Sequence, residues 1–368
     1  MYVLANPQTG KELRVSPTKA KEVFGVNGEE KRFICLPCKS EIVTAPSKAS
    51  FIVQVKTYAR KKKIHGTCVI RMGGLGDLIL LSSGLKELRK RMKGVPLYLA
   101  TLKTWLPFMK KMDCVDRCIP IDNLGGYEFT KVIDLRFAVE PPQLGASCKG
   151  TWESYTTEDR SDVFDKLLGT YPAPKRFQVP VNGSVSKLSK LLPEKFILLN
   201  ACMVSAARSI PPVYIQPICE LITEKLGIEI VLCGTSEPWN ASLKTISIPK
   251  VTNLIDQTTI WEMIALCSMA HLVITPDTGT LHVAGAMGKR TLGIFGNINP
   301  RTRISYYSNV KALYPHGELR CIPCWDIHPC MKKPEDGAKC MRLITPQKIL
   351  AAVEQEFIHE RQVHLECP

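Results

Sequence analysis

The stretch ITPDTGTLHVAGAMGKRTLGIFG, residues 274–296, decides the fold. An apolar strand over His271–Thr275 ends in Pro276-Asp277-Thr278-Gly279, and a helix over His282–Met287 follows. A second strand, Arg290–Phe295, ends in Gly296. Strand, helix and strand in immediate succession predict a parallel sheet covered on both faces. Upstream the same alternation continues, with strands at Phe196–Asn200 and Glu229–Cys233 and helices at Val213–Leu226 and Trp261–Ala270.

A second copy of this pattern lies nearer the N-terminus. The strand Thr67–Arg71 meets the turn Gly73-Gly74-Leu75-Gly76-Asp77. A helix then runs to about Lys93, with Leu78, Leu81, Leu85 and Leu88 on one face. Pro96–Leu102 and Val132–Leu135 read as strands, and Trp105–Lys111 as a short helix. The segment 173–194, rich in Pro, Ser and Lys, reads as an interdomain linker. The expected organisation is therefore α/β: a Rossmann-like domain over 65–188, a second over 189–368, and a ligand cleft between their carboxyl strand ends. Residues 1–64 differ. They hold an isolated Cys35-x-x-Cys38 and a basic run from Lys56 to Lys63, and read as a small appended module.

Composition narrows the function. The 368 residues are 45% hydrophobic, enough for folded cores, and no run approaches a membrane span. The first residues lack a basic stretch followed by an apolar one, so a cytoplasmic location is expected, with peripheral membrane contact allowed. Fifteen cysteines, an odd number, suit reduced thiols better than a disulfide framework. A formal charge of +15 suits an anionic partner such as a nucleotide diphosphate, a phosphorylated glycolipid or nucleic acid.

Two motifs carry chemistry. At the turn 71–77, glycines let the backbone approach a ligand and the helix start favours negative charge. The spacing is not GxGxxG, which argues against a dinucleotide oxidoreductase. Asp77 alone reads as a helix N-cap, and it could also serve as a rigidly held general base. At the second turn, backbone N–H groups, the Thr278 hydroxyl and His282 suit a diphosphate.

Both motifs, in this order and about 200 residues apart, resemble glycosyltransferase family 9, the heptosyltransferases of lipopolysaccharide inner-core assembly. The run Asn253 to Gly279 is similar to that family as well. The resemblance covers roughly residues 67 to 357 and implies the two-Rossmann GT-B fold. It implies Asp77 as general base. It also implies Gly76, Asp277, Thr278, Gly279 and His282 around the donor, and Glu237 on the ribose. Arg208, beside Ser205, would stabilise the leaving diphosphate, although Arg208-Ser209-Ile210-Pro211 replaces the family's Lys-Trp-Pro. Arg71, Asp134, Arg136 and Arg160 are acceptor-side candidates.

The resemblance implies an inverting transfer from ADP-heptose or another nucleotide sugar to a lipopolysaccharide core, with no cofactor in the chemistry. Because residues 1–64 are foreign to that family, a viral enzyme glycosylating hydroxymethylated DNA bases is the alternative. A non-catalytic nucleotide-binding module is another, but it would not need Asp77 and Arg208 together. Cys321, Cys324, Cys330 and Cys340 could hold a structural zinc or iron, or stay as reduced thiols.

Overall fold

A computed structural model describes residues 2–5, 12–15, 61–140, 156–181, 188, 190, 192–201, 205–325, 330–331 and 333–366. The Cys35/Cys38 pair lies outside them. The chain forms two compact units. One comprises the described residues up to Met72 with Arg91–Arg136. The other comprises Gly73–Lys90 with the described residues from Phe137 onward.

In chain order, an antiparallel pair, β1 (Tyr2–Ala5) and β2 (Glu12–Val15), precedes β3 (Lys62–Ile70) and α1 (Leu75–Arg91). Next come β4 (Leu97–Thr101), α2 (Leu106–Met109), β5 (Arg117–Pro120) and β6 (Tyr127–Asp134). Strands β3 to β6 form a parallel sheet in the order β5-β4-β3-β6. Strand β3 begins earlier than its apolar run predicts. The backbone of Lys62 and Lys63 pairs with Tyr127 and Glu128, past an irregularity between Ile64 and Thr67. Backbone pairing thus draws the end of the basic run into the sheet.

The second unit holds α1 and the rest of the chain. Helix α3 (Arg160–Leu168) leads to β7 (Phe196–Asn200), α4 (Pro212–Leu226), β8 (Glu229–Cys233) and β9 (Val251–Asn253). There follow α5 (Ile260–Met269), β10 (Leu272–Pro276), α6 (Gly279–Ala286), β11 (Thr291–Ile294), α7 (Arg301–Ile304) and β12 (Val310–Leu313). Helices α8 (Lys339–Arg342) and α9 (Pro346–Glu366) close the described chain. The six strands are all parallel, in the order β12-β11-β10-β7-β8-β9.

Every residue of β7 and β10 is buried, as expected for strands covered on both faces. Helix ends follow local chemistry. Pro212 opens α4, and Gly227 closes it at φ 68°. Thr259 and Glu262 cap α5 reciprocally: the Thr259 hydroxyl accepts from Glu262 N–H, and the Glu262 carboxylate accepts from Thr259 N–H.

The segment 173–181, read from composition as linker, is anchored along α1. The N–H groups of Arg176 and Gln178 donate to the hydroxyls of Ser83 and Ser82, both at 3.0 Å. These serines interrupt the apolar face of α1 and serve as docking points for irregular chain.

Candidate active site

The two motifs meet inside the second unit, and glycine makes the meeting feasible. A Cβ at Gly76 would run into the His282 ring, and one at Gly279 would crowd Leu75 at 3.2 Å. The start of α1 therefore lies against the start of α6. Helix α1 begins at Leu75, which puts Asp77 in its first turn rather than at its N-cap. Asp77 is buried, and its carboxylate accepts from Arg160 Nη1 at 2.5 Å.

Arg160 is placed by a well-tied helix. Asp159 caps α3 by accepting from the N–H and hydroxyl of Ser161. Farther along, Asp165 accepts from Thr170 and from the buried ammonium of Lys175, which also pairs with Asp162 at 2.8 Å. The Tyr306 hydroxyl donates to Asp162 at 2.8 Å. Gly84 of α1 leaves room for Asp165 and Leu168, seating α3 directly on α1.

Asp277 follows β10 and is buried. One oxygen, Oδ2, accepts from both Arg208 Nη1 and Arg303 Nε at 3.3 Å, and His282 Nε2 lies 3.9 Å from Oδ1. Burial alone would raise this carboxyl, but Arg303 and Arg208 outweigh it and the net direction is downward. Arg303 is 1% exposed and Arg208 27%, so Arg208 is the more accessible of the two guanidinium groups. The guanidinium carbons of Arg160 and Arg303 lie 4.9 and 4.8 Å from the ring of Trp325.

Thr278 is the N-cap of α6 and is already well partnered. Its hydroxyl accepts from Thr280 N–H and Asn200 Nδ2 and bonds the Thr275 hydroxyl. His282 sits in the first turn of α6, with Nδ1 3.4 Å from the Tyr307 hydroxyl. Burial holds its imidazole down to about 4, with Asp277 opposing the shift and Arg303 reinforcing it. The ring is therefore neutral near pH 7. The depressed value has a stability consequence. The unfolded chain takes up the proton near its ordinary 6.5, so stability present above that value is lost as pH falls toward 4. That loss is about 3 kcal/mol. His282→Gln should remove this part of the acid slope, as read from urea midpoints at pH 7 and pH 4.5. Parallel slopes in the two proteins would sink the linkage.

The remaining candidates occupy varied settings. Ser205 precedes a short 3-10 turn, and its carbonyl accepts from Arg208 N–H and the Ser209 hydroxyl. Glu237 lies beyond β8, where its N–H donates to Asn240 Oδ1 at 2.6 Å. In the first unit, Arg71 is buried and donates to the Leu135 carbonyl, while Asp134 and Arg136 pair with each other at 2.5 Å. Sequence reasoning missed Arg303, Trp325, Asn200 and Tyr307. Arg303 stands in a four-residue helix too short to show a periodicity, and Trp325 stands beside Cys324, where the cysteine spacing draws attention to the thiols alone.

Cys321, Cys324, Cys330 and Cys340 line one small cavity together with Asn297, whose buried side-chain amide has no hydrogen-bond partner among the described residues. Burial, reinforced by Cys324 and Cys330, pushes the Cys340 thiol up to about 12. The donor set and the orphaned amide suit a soft metal. Among the described residues, however, no three such groups are gathered closely enough to grip one.

Residues 216–333 match the family model "Glycosyltransferase family 9 (heptosyltransferase)". A 108-residue stretch is 32% identical to lipooligosaccharide heptosyltransferase 2 of Campylobacter jejuni subsp. jejuni serotype O:6, covering 29% of this chain and 32% of that protein. The match thus spans about a third of the curated relative's length. Among solved structures, E. coli ADP-heptose lipopolysaccharide heptosyltransferase II superposes with a TM-score of 0.60 at 15% identity, covering 80% of this chain and 99% of that one. The dodecameric iron-containing heptosyltransferase TibC also gives 0.60, at 13% identity, over 98% and 91% of the two chains. The fold is the expected α/β GT-B type with two Rossmann-like domains, and residues 216–333 are similar to glycosyltransferase family 9.

Proposed function

We propose that the chain is an inverting glycosyltransferase that moves a heptose-like sugar from ADP-heptose, or a related nucleotide sugar, to a hydroxyl of an anionic lipopolysaccharide inner-core acceptor. One observation carries this reading: a buried carboxylate at the start of α1 shares an arginine cluster with the Asp277–His282 turn. Asp77 takes the proton from the acceptor hydroxyl, whose oxygen attacks the anomeric carbon. The bond from that carbon to the phosphate oxygen breaks, and its electron pair leaves with the nucleoside diphosphate. Arg208, partly exposed and paired with Asp277, supplies its charge to the departing group. Attack from the face opposite the leaving group inverts the anomeric centre.

A non-catalytic nucleotide binder would gain nothing from a buried Asp77–Arg160 pair. Among the described residues no helix is long and apolar enough to cross a membrane. We place the reaction in the cytoplasm, the basic surface meeting the acceptor's phosphates. Cys321, Cys324, Cys330 and Cys340 would have to draw closer together to hold a structural iron or zinc, iron being the metal of the similar TibC. Such a metal would brace the segment and take no direct part in the chemistry of transfer.

The test incubates the purified chain with ADP-heptose, UDP-sugars and GDP-sugars against truncated lipooligosaccharide and hydroxymethylcytosine DNA in parallel, reading acceptor mass. Sugar on the lipid, with an inverted anomeric proton coupling, supports the reading. Sugar on DNA alone would reassign the acceptor, and no transfer to either would remove the proposed reaction.

A further inference from the structure

The four-cysteine segment has no part in the mechanism above, yet it delivers one side chain into the arginine cluster. Trp325 follows Cys324 directly. The N–H groups of both residues donate to the single carbonyl of Asn297, at 3.0 and 3.1 Å. This anchor holds Trp325 at φ 54°, a left-handed conformation that a bulky residue adopts only when its surroundings impose it. The indole then lies 4.9 Å from the Arg160 guanidinium and 4.8 Å from that of Arg303. Arg160 pairs with Asp77, and Arg303 with Asp277. One aromatic ring thus braces the cationic partners of both buried carboxylates.

Two like charges beside one ring repel each other, and a guanidinium free to turn would drift toward water. An aromatic face attracts both cations and spans the space between them. Arg160 depends on it more, because it is less buried than Arg303 and reaches Asp77 through a single Nη1 contact.

We propose that Trp325 is a positioning residue for sugar transfer, acting through Arg160 to hold the Asp77 carboxylate in its reactive place. The role rests on the glycosyltransferase reading above. It gives the cysteine segment a function: a rigid arm whose tip orients the proposed base.

The test compares Trp325→Leu, which keeps bulk without a π face, with Trp325→Phe, which keeps a face. Rates are taken with ADP-heptose and truncated lipooligosaccharide. Trp325→Leu should lower kcat roughly tenfold with donor KM changed less than about twofold, because the lost contact steadies the base rather than the donor turn. Trp325→Phe should recover most of the rate, and Trp325→Leu/Arg160→Met should be no slower than Arg160→Met alone. Unchanged kcat in Trp325→Leu, no recovery in Trp325→Phe, or losses that multiply in the double variant would each overturn the proposal. Urea unfolding of the wild type, Trp325→Leu, Arg160→Met and the double variant measures the Trp325–Arg160 coupling without any assay of activity. Coupling without transfer by the wild type would overturn the reaction and leave the brace standing. Transfer without coupling would overturn the brace and leave the reaction standing.

Discussion

Asp77→Asn is expected to lower transfer by about three orders of magnitude while donor affinity stays within a few-fold of wild type. The carboxylate is buried in the first turn of α1, paired with Arg160, and lies outside the turn that suits the diphosphate. Asparagine keeps the shape and can still accept a hydrogen bond from Arg160, but it cannot take a proton at neutral pH. The loss should therefore appear in kcat, with ADP-heptose titrations by calorimetry almost unchanged. Arg160 then faces a neutral partner, so the variant should also be less stable, and a thermal melt separates that effect from catalysis. Transfer within tenfold of wild type would place the base elsewhere. A collapse of donor affinity would mean that Asp77 serves the nucleotide instead.

Legibility of the fold follows how each element is stabilised. The strands β7 and β10, fully buried, and β8, buried from Ile230 onward, read directly from the sequence because burial on both faces demands continuous apolar runs. Strands β5, β9 and β12 are three or four residues long and partly exposed, and they exist chiefly through pairing with a neighbour already in place. Such strands carry no run of their own to read. Helix starts were misplaced by two or three residues at both glycine turns. The apolar periodicity begins later than the hydrogen bonding does, so Gly279 and Leu75 were read as turn.

The site divides the same way. Asp77, Asp277 and His282 sit at strand-to-helix turns, where local chemistry marks them. Arg303 and Trp325 owe their positions to α7 and to the Asn297 carbonyl. Their roles depend on contacts distant in sequence, which one sequence does not display. Gly76 is intermediate: a glycine turn is visible, but the reason for that glycine is the His282 ring, some two hundred residues away.

The second large effect concerns stability. Arg303→Met should destabilise the fold by about 3–5 kcal/mol, the usual consequence of removing one partner from a buried ion pair. Asp277 would keep only Arg208, which is 27% exposed and shares the same oxygen, and a neutral His282 that adds no charge. Methionine replaces much of the packing volume against Trp325, so the loss should be electrostatic rather than a cavity. Adding Asp277→Asn tests that attribution, because an amide at this position needs no guanidinium. Arg303→Met/Asp277→Asn should therefore be more stable than Arg303→Met alone, despite carrying one more substitution. Urea unfolding of the wild type and three variants at pH 7 gives the comparison. A single-variant loss under about 1 kcal/mol would mean that Arg208 alone neutralises the buried carboxylate. If Asp277→Asn recovers nothing, Arg303 stabilises the unit through its stacking on Trp325 and its bonds to Thr302 rather than through its charge on Asp277.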